Sequence, residues 1–347
     1  MKTWDVVIIG AGVIGLALAV ELRRSGLSVL VLEKHYPGRE SSWAAGGMLA
    51  DREAGPPLAT LARASAAMYP EVLHRLQDES GLNVDLREQG TICFLDGDRM
   101  PEPAGEPLTA ADLLRLEPEL TYDVPAIFLP ERCVDPRLLM EALVATAKHL
   151  GVDISSGSEV IDITIAGGRA VEAVTTKSRY PGNVIVNCAG AWAGQIGPVP
   201  IPTMPKKGQM LAVTPTVVTH VVRGNGVYLI PRSHGRLVIG ATVEDAGFDK
   251  RTDPETIQRL HQGAAVLAPK IGQARILEDW AGLRPGTPDG LPIMGATPIG
   301  NYLVATGHYR DGILLAPITA KLMAQLVRDG QPSGELAAFS LGRFSGN

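Results

Sequence analysis

Three glycines stand at the spacing Gly10-Ala-Gly12-Val-Ile-Gly15, and an acid, Glu33, follows about twenty residues later. Each glycine answers a steric need of a pyrophosphate site: a tight turn, a close backbone approach to the ligand, and close packing of a helix on a sheet. The free N–H groups at the start of that helix then face the phosphates, and the acid accepts hydrogen bonds from ribose hydroxyls. The chemistry this predicts is dinucleotide binding. By itself it does not separate NAD from FAD, and Glu33-Lys34 could still be an ordinary surface pair.

Three further segments bear on that choice. Ser41-Ser-Trp-Ala-Ala-Gly-Gly-Met48 is a run of small residues, which lets backbone amides approach an extended cofactor, although a flexible loop would look similar. Val184-Ile-Val-Asn-Cys-Ala-Gly-Ala-Trp192 reads as a strand and glycine turn of the kind FAD enzymes place under the cofactor. Thr306-Gly-His-Tyr-Arg-Asp-Gly-Ile-Leu314 precedes the last helical region, where donors can stabilise the charge that develops at flavin N1 and O2 on reduction. Together they point to FAD.

The elements that must position these groups follow from periodicity. Asp5–Ile9 is an apolar run suited to a buried parallel strand. Leu16, Ala19, Val20 and Leu22 recur at helical spacing up to Gly26, and Ser28–Leu32 is the next strand. This is a βαβ unit. Asp135-Pro136 predicts a capped helix over Arg137–Leu150, leading into a strand at Val152–Ile154. Val160–Ile165 and Ala170–Val174 predict a hairpin, and Asn183–Asn187 a buried strand. Met210–Val213, Gly226–Ile230 and Arg236–Ala241 alternate as strands of an antiparallel sheet. From Ala281 to Leu314 the glycines suggest loops, a helix is expected near Thr319–Val327, and the last residues read as a loose tail. The fold class expected is α/β: a discontinuous Rossmann-like FAD-binding domain (1–85, 135–197 and 276–347). An inserted antiparallel-sheet α+β substrate domain takes 86–134 and 198–275.

Composition narrows the partners. A net charge of −5 over 347 residues speaks against nucleic-acid and anionic-membrane partners. Cys93, Cys133 and Cys188 are widely spaced, which disfavours metal clusters and disulfide frameworks and suits a reducing cytoplasm. Val6–Val20 is too short and too rich in glycine to span a bilayer, so a soluble protein is expected.

With Gly282-Leu-Arg-Pro-Gly-Thr-Pro-Asp-Gly290 and Gly307-His-Tyr-Arg310, these segments resemble the glycine oxidases of thiamine biosynthesis, in the D-amino-acid oxidase superfamily, from Asp5 to about Val327. The resemblance implies an FAD enzyme that oxidises glycine, sarcosine, another N-substituted glycine or a small D-amino acid to the imino acid. Hydride passes to flavin N5, O2 is reduced to hydrogen peroxide, and a homo-oligomer is expected. Carried over by motif, Val13, Ile14, Glu33, Lys34, Ser41, Ser42, Gly46, Gly47, Met48 and Val160 would touch FAD. His308, Tyr309, Arg310, Asp311, Gly312, Ile313 and Leu314 would surround the flavin.

Arg284 would bind the substrate carboxylate, with Tyr228 as its partner and Arg310 as a second active-site arginine. Plainer roles stay open: a loop salt bridge for Arg284, a core position for Tyr228, packing on FAD for Arg310. His308 is expected to act through its backbone, Trp43 and Trp192 to be packing residues, and Arg23-Arg24 to be a solvated helix end. Asp311 departs from the asparagine common in the family, and the connection after Cys93-Phe-Leu95 looks short. A dehydrogenase passing electrons to a quinone or partner protein, a non-catalytic flavoprotein and an NAD-dependent dehydrogenase are the rival readings.

Overall fold

The computed structural model describes residues 2–51, 55–96, 105–121 and 123–344. In it the apolar run after Asp5 becomes the strand Trp4–Ile9, paired in parallel with Val29–Glu33 on one side and Arg179–Asn187 on the other. Side chains leave a strand alternately to its two faces. Val6 and Ile8 enter one apolar cluster, Val7 and Ile9 another, so both faces are buried. That is why the strand reads as an unbroken apolar run. The first cluster is closed by the helices Val13–Arg24, Leu58–Ser80, Pro136–His149 and Gly312–Asp329. The second lies under the hairpin Val160–Ala166 and Arg169–Thr175.

Arg179–Asn187 runs longer than expected because it serves two partners. Its first residues pair antiparallel with the hairpin, and from Gly182 onward it pairs in parallel with Trp4–Ile9. Asp153–Ser156 lies beyond Val29–Glu33, and Tyr302–Thr306 and Ile293–Ala296 extend the opposite side. Asp135 caps Pro136–His149 as predicted, its carboxylate accepting from the Arg137 and Leu138 amides.

A second sheet of eight strands collects Thr91–Phe94, Glu106–Leu108, Ala126–Leu129, Met204–Thr214, Val221–Gly224, Val227–Pro231, Leu237–Gly240 and Arg275–Gly286. It is antiparallel apart from the pair Val221–Gly224 with Thr91–Phe94. A small sheet of Met48–Leu49, Arg132–Val134 and Leu86–Arg87 ties the Ser41–Met48 segment to the start of the Pro136 helix.

Several expectations are corrected. Ala281–Gly286, expected as glycine-rich loop within the FAD part, is the end of a strand, Arg275–Gly286, bonded along Met204–Thr214 in the second sheet. Gly282 is there for space: a Cβ would lie 2.5 Å from the Ala44 Cβ. Tyr302–Thr306 is likewise a buried strand. The last long helix starts at Gly312, with Pro317 inside its opening turns. The tail is tied down, since Phe339 and Leu341 are buried and the Arg343 Nε donates to Asp289 at 2.7 Å. Arg23 and Arg24 are not simply solvated: Arg23 donates to the Leu150 carbonyl at 2.8 Å, and Arg24 pairs with Glu79 at 2.6 Å. Past Leu95 the chain enters 97–104, which lies outside the described residues, as does the length comparison made there. Among the described residues no helix is long and apolar enough to cross a membrane.

Candidate active site

Where the parallel strands end, a cavity of about 840 Å³ opens between the two sheets. Trp4–Ile9 has its next partners in sequence, Val29–Glu33 and then Asp153–Ser156, on one side and Arg179–Asn187 on the other. Ligands of open α/β sheets bind at such a reversal of strand order, outside the carboxyl ends of the strands. The volume is near the top of the range of about 300–1,000 Å³ for small-molecule sites, as an extended ligand requires.

The glycine turn forms one end. Gly10 has φ +100°, and a Cβ on it would lie 2.6 Å from the Cys188 carbonyl oxygen. A Cβ on Gly15 would fall 2.0 Å from the Gly10 oxygen, so Gly15 brings helix against strand behind the cavity wall. Gly12 caps Val13–Arg24, whose first turn carries no acid, so the positive end of the helix dipole is not offset there. The Val13 amide meets the Ser42 hydroxyl at 3.0 Å, which draws the small-residue segment over the turn. Glu33 is held in place by the Ala11 and His35 amides, both at 2.9 Å, one on each carboxylate oxygen. Each oxygen keeps a further acceptor site.

Gly10, Gly12, Val13, Ile14, Glu33, Lys34, Ser41, Ser42, Gly46, Gly47, Met48 and Val160 all line this cavity. So do His308, Tyr309, Arg310, Asp311, Gly312 and Ile313, whereas Gly15 and Leu314 do not. The features fit FAD: a turn for pyrophosphate, a carboxylate for ribose, and a loop at a helix start for the ring.

That helix start has its own support. Pro317 has no N–H to return to the Ile313 carbonyl one turn earlier. The Tyr69 hydroxyl, from Leu58–Ser80, donates to that carbonyl instead, and the Ile318 amide donates to Ser65 at 3.3 Å. Burial pushes the Tyr69 phenol far up, so it remains a donor. His308 is buried, its Nε2 3.0 Å from the Thr319 hydroxyl, and burial pushes it down to about 3. It is a neutral packing group. Asp311 takes the N-cap position without a capping bond from its side chain.

At the far end Tyr228, Arg284 and Arg310 come together on the cavity wall from three separate elements. Arg284 projects from Arg275–Gly286 across Gly208, where a Cβ would lie 2.3 Å from its Nη1. Its Nη1 donates to the carbonyls of Thr242 at 3.1 Å and Lys207 at 3.5 Å. Among the described residues its partners here are main-chain carbonyls and no carboxylate. Burial pushes the Tyr228 phenol up, opposed by Arg284, Arg310 and Arg232. Its hydroxyl points to the Met210 sulfur at 3.7 Å, and its ring lies against Gly240. The exposed Arg310 sits over the Tyr309 ring, 5.4 Å from its centroid.

Some contributors carry no local sequence signal. Buried Arg232 bonds the carbonyls of Gly46 and Val134 and so fixes the small-residue segment. Trp43 packs edge-on to Trp280 beneath the Arg137 guanidinium, as a packing residue. Trp192 packs on Phe248 and also lines the cavity.

The profile of the FAD dependent oxidoreductase family (DAO) matches residues 5–326. The glycine oxidase of Geobacillus kaustophilus is 35% identical over 99% of this chain and 98% of its own length. The bifunctional protein ThiO/ThiG of Trichormus variabilis is 37% identical over 99% of this chain but 55% of its own, so the chain spans about half of that relative. Among solved structures, the crystal structure of glycine oxidase from Geobacillus kaustophilus superposes with a TM-score of 0.92 at 32% identity, covering 99% of both chains. An iminodiacetate oxidase from Chelativorans sp. BNC1 superposes with 0.87 at 26% identity, over 96% of this chain and 98% of that one. A glycine turn, a buried carboxylate and a loop at a helix start converge on one cavity within a chain matched over nearly its whole length. This protein therefore belongs to the DAO family of FAD dependent oxidoreductases, and FAD is its cofactor.

Proposed function

We propose that this chain oxidises the amine of glycine, or of sarcosine, another N-substituted glycine or a small D-amino acid, to the imino acid. Oxygen is the electron acceptor in this reading and hydrogen peroxide the second product. The observation that carries it is Arg284: a guanidinium on the wall of an FAD-fitting cavity, held by main-chain carbonyls and without a carboxylate partner among the described residues. Such a fork presents two parallel charge-assisted hydrogen bonds to a substrate carboxylate. The names of the similar glycine oxidases support the same reading.

Bound FAD supplies the two-electron acceptor that takes a hydride from the α-carbon. The chain's own contribution is to position and to exclude water. Tyr228, protonated through burial, donates to the carboxylate beside Arg284, and its ring against Gly240 limits the size of what sits there. Arg310 adds positive charge on the cavity wall. His308 is no general base in this reading, because burial disfavours the protonated ring and its Nε2 is engaged with Thr319.

The FAD-binding domain comprises 1–85, 135–197 and the chain after Gly286 in this reading, with Arg275–Gly286 assigned to the substrate domain. The wide spacing of Cys93, Cys133 and Cys188 suits a cytoplasmic setting in this reading. A homo-oligomer is expected, and sedimentation tests it. The decisive experiment is an anaerobic absorption spectrum with glycine, sarcosine and D-alanine added in turn, then oxygen with a peroxide assay. Bleaching followed by peroxide supports the oxidase; bleaching without peroxide points to a dehydrogenase; no bleaching by any of them refutes amine oxidation.

A further inference from the structure

Arg284 is held at an irregularity of the second sheet. Met210 pairs with Gly240, but Lys207 pairs with Glu244. Three steps along one strand thus answer to four along the other, which is a β-bulge, a device that re-aims groups beside active sites. At this bulge the Thr242 carbonyl meets the Arg284 Nη1 at 3.1 Å. The Thr242 hydroxyl enters a different network. It accepts from the Gln209 amide at 2.9 Å and donates to the Glu244 carboxylate. The Gln209 side chain donates to the same carboxylate at 2.9 Å and accepts from the Asp253 amide at 2.7 Å. Lys207 places its Nζ 3.8 Å from the other Glu244 oxygen.

None of Lys207, Gln209, Thr242 and Glu244 lines the cavity, whereas their neighbours Gly208 and Met210 do. Alternation along the strand explains this: Gly208, under the Arg284 guanidinium, faces the cavity, and Lys207 and Gln209 face away. Gln209 is 1% exposed and Lys207 5%, while Glu244 keeps 32% of its side chain exposed, so the network runs from the buried strand out toward solvent. Burying the Lys207 end of this contact costs desolvation that an apolar residue would not incur. Its effect here is to fix an extra residue in the strand, and with it the carbonyl that holds Arg284.

We infer that Glu244, acting through Thr242 and Gln209, is a positioning residue that sets where the Arg284 guanidinium stands and therefore how tightly the substrate carboxylate is held. The inference rests on the reading of Arg284 as the carboxylate clamp. Its test uses the FAD-loaded protein and the variants Thr242→Val, Glu244→Ala and Glu244→Gln. Acetate, a carboxylate without an amine, is titrated by calorimetry, glycine turnover is resolved into KM and kcat, and the flavin spectrum and Tm report the fold.

Acetate Kd and glycine KM should rise together by about tenfold in Thr242→Val and Glu244→Ala, as expected for an anchor displaced by less than an ångström. Glu244→Gln should recover most of the loss, and kcat should stay within about twofold. Should Glu244→Ala fail to fold, Thr242→Val, which loses one hydroxyl, carries the test. Folded, yellow variants with wild-type acetate Kd and glycine KM overturn the inference, as does a fall in kcat at unchanged Kd. A wild-type protein that binds no acetate overturns the Arg284 reading and this inference with it; wild-type binding with unaffected variants overturns the inference alone.

Discussion

Tyr69→Phe deletes one buried hydroxyl and should loosen the helix start that lines the cavity. The Ile313 carbonyl lacks its usual partner because residue 317 is proline, and the Tyr69 hydroxyl is the donor that replaces it. An unsatisfied buried carbonyl costs about 1–3 kcal/mol. Scaled by the unfolding entropy of a chain this long, that lowers Tm by about 1–4 °C. Gly312 and Ile313 line the cavity, so part of the cost should appear as weaker FAD binding, up to about tenfold. Differential scanning calorimetry and titration of apoprotein with FAD measure the two shares.

The control is Pro317→Ala, which restores an N–H at 317. In that background the Ile313 carbonyl has a helical partner again, and Tyr69→Phe should cost at least about 1 kcal/mol less than in the wild type. Equal costs in both backgrounds, or no loss of Tm and FAD affinity in Tyr69→Phe alone, would refute the compensation.

Four other outcomes are expected. Arg284→Ala should keep FAD but raise KM for glycine by about 2–5 kcal/mol in apparent binding, roughly 30- to several-thousand-fold; unchanged kinetics rule out the clamp. Gly208→Ala puts a methyl where the Arg284 Nη1 now lies 2.3 Å from the ideal Cβ, so the guanidinium must move and KM should rise by about tenfold or more with the flavin spectrum intact. Asp311→Asn removes a carboxyl from the cavity wall and should raise the flavin potential by about 30–60 mV, about 1.4–2.8 kcal/mol for two electrons, as read by dye equilibration. His308, pushed down to about 3 in the fold against an ordinary value of about 6.5, takes up a proton more readily when unfolded. Its contribution to stability is therefore complete above about pH 6.5 and declines as pH falls toward 3; between pH 7 and 5 the wild type should lose about 2 kcal/mol more than His308→Gln in urea titrations.

Much of the glycine-turn end of the fold was legible because its signals are local. The turn sterics of Gly10–Gly15, the helical spacing that follows, and the capping acid before Pro136 each act within a few residues. The substrate end was harder to read. Ala281–Gly286 looks like a loop because its glycines are the same letter whether they serve flexibility or space, and Gly282 serves space against Ala44. Tyr69 meets Ile313, Arg232 meets Gly46, and Thr242 meets Arg284, all across long separations that leave no periodic trace. The tail misled for a related reason: Phe339 and Leu341 are buried apolar residues in short 3-10 turns, which have no amphipathic repeat to betray them.

The placement of charge ties these parts together. In the proposed reaction, an arginine that must seize a carboxylate cannot be satisfied beforehand by an acid, yet a long side chain left alone loses the fixed geometry that makes its fork useful. Here the guanidinium rests on two carbonyls, which orient it without cancelling its charge. The acid that would cancel it, Glu244, is on the far side of the strand and engaged with Lys207, Gln209 and Thr242. Orientation and neutralisation are thus carried by separate layers. A carboxylate moved into the first layer, as in Gly208→Asp, should abolish binding of acetate while leaving the flavin in place, because the new partner would occupy the fork permanently.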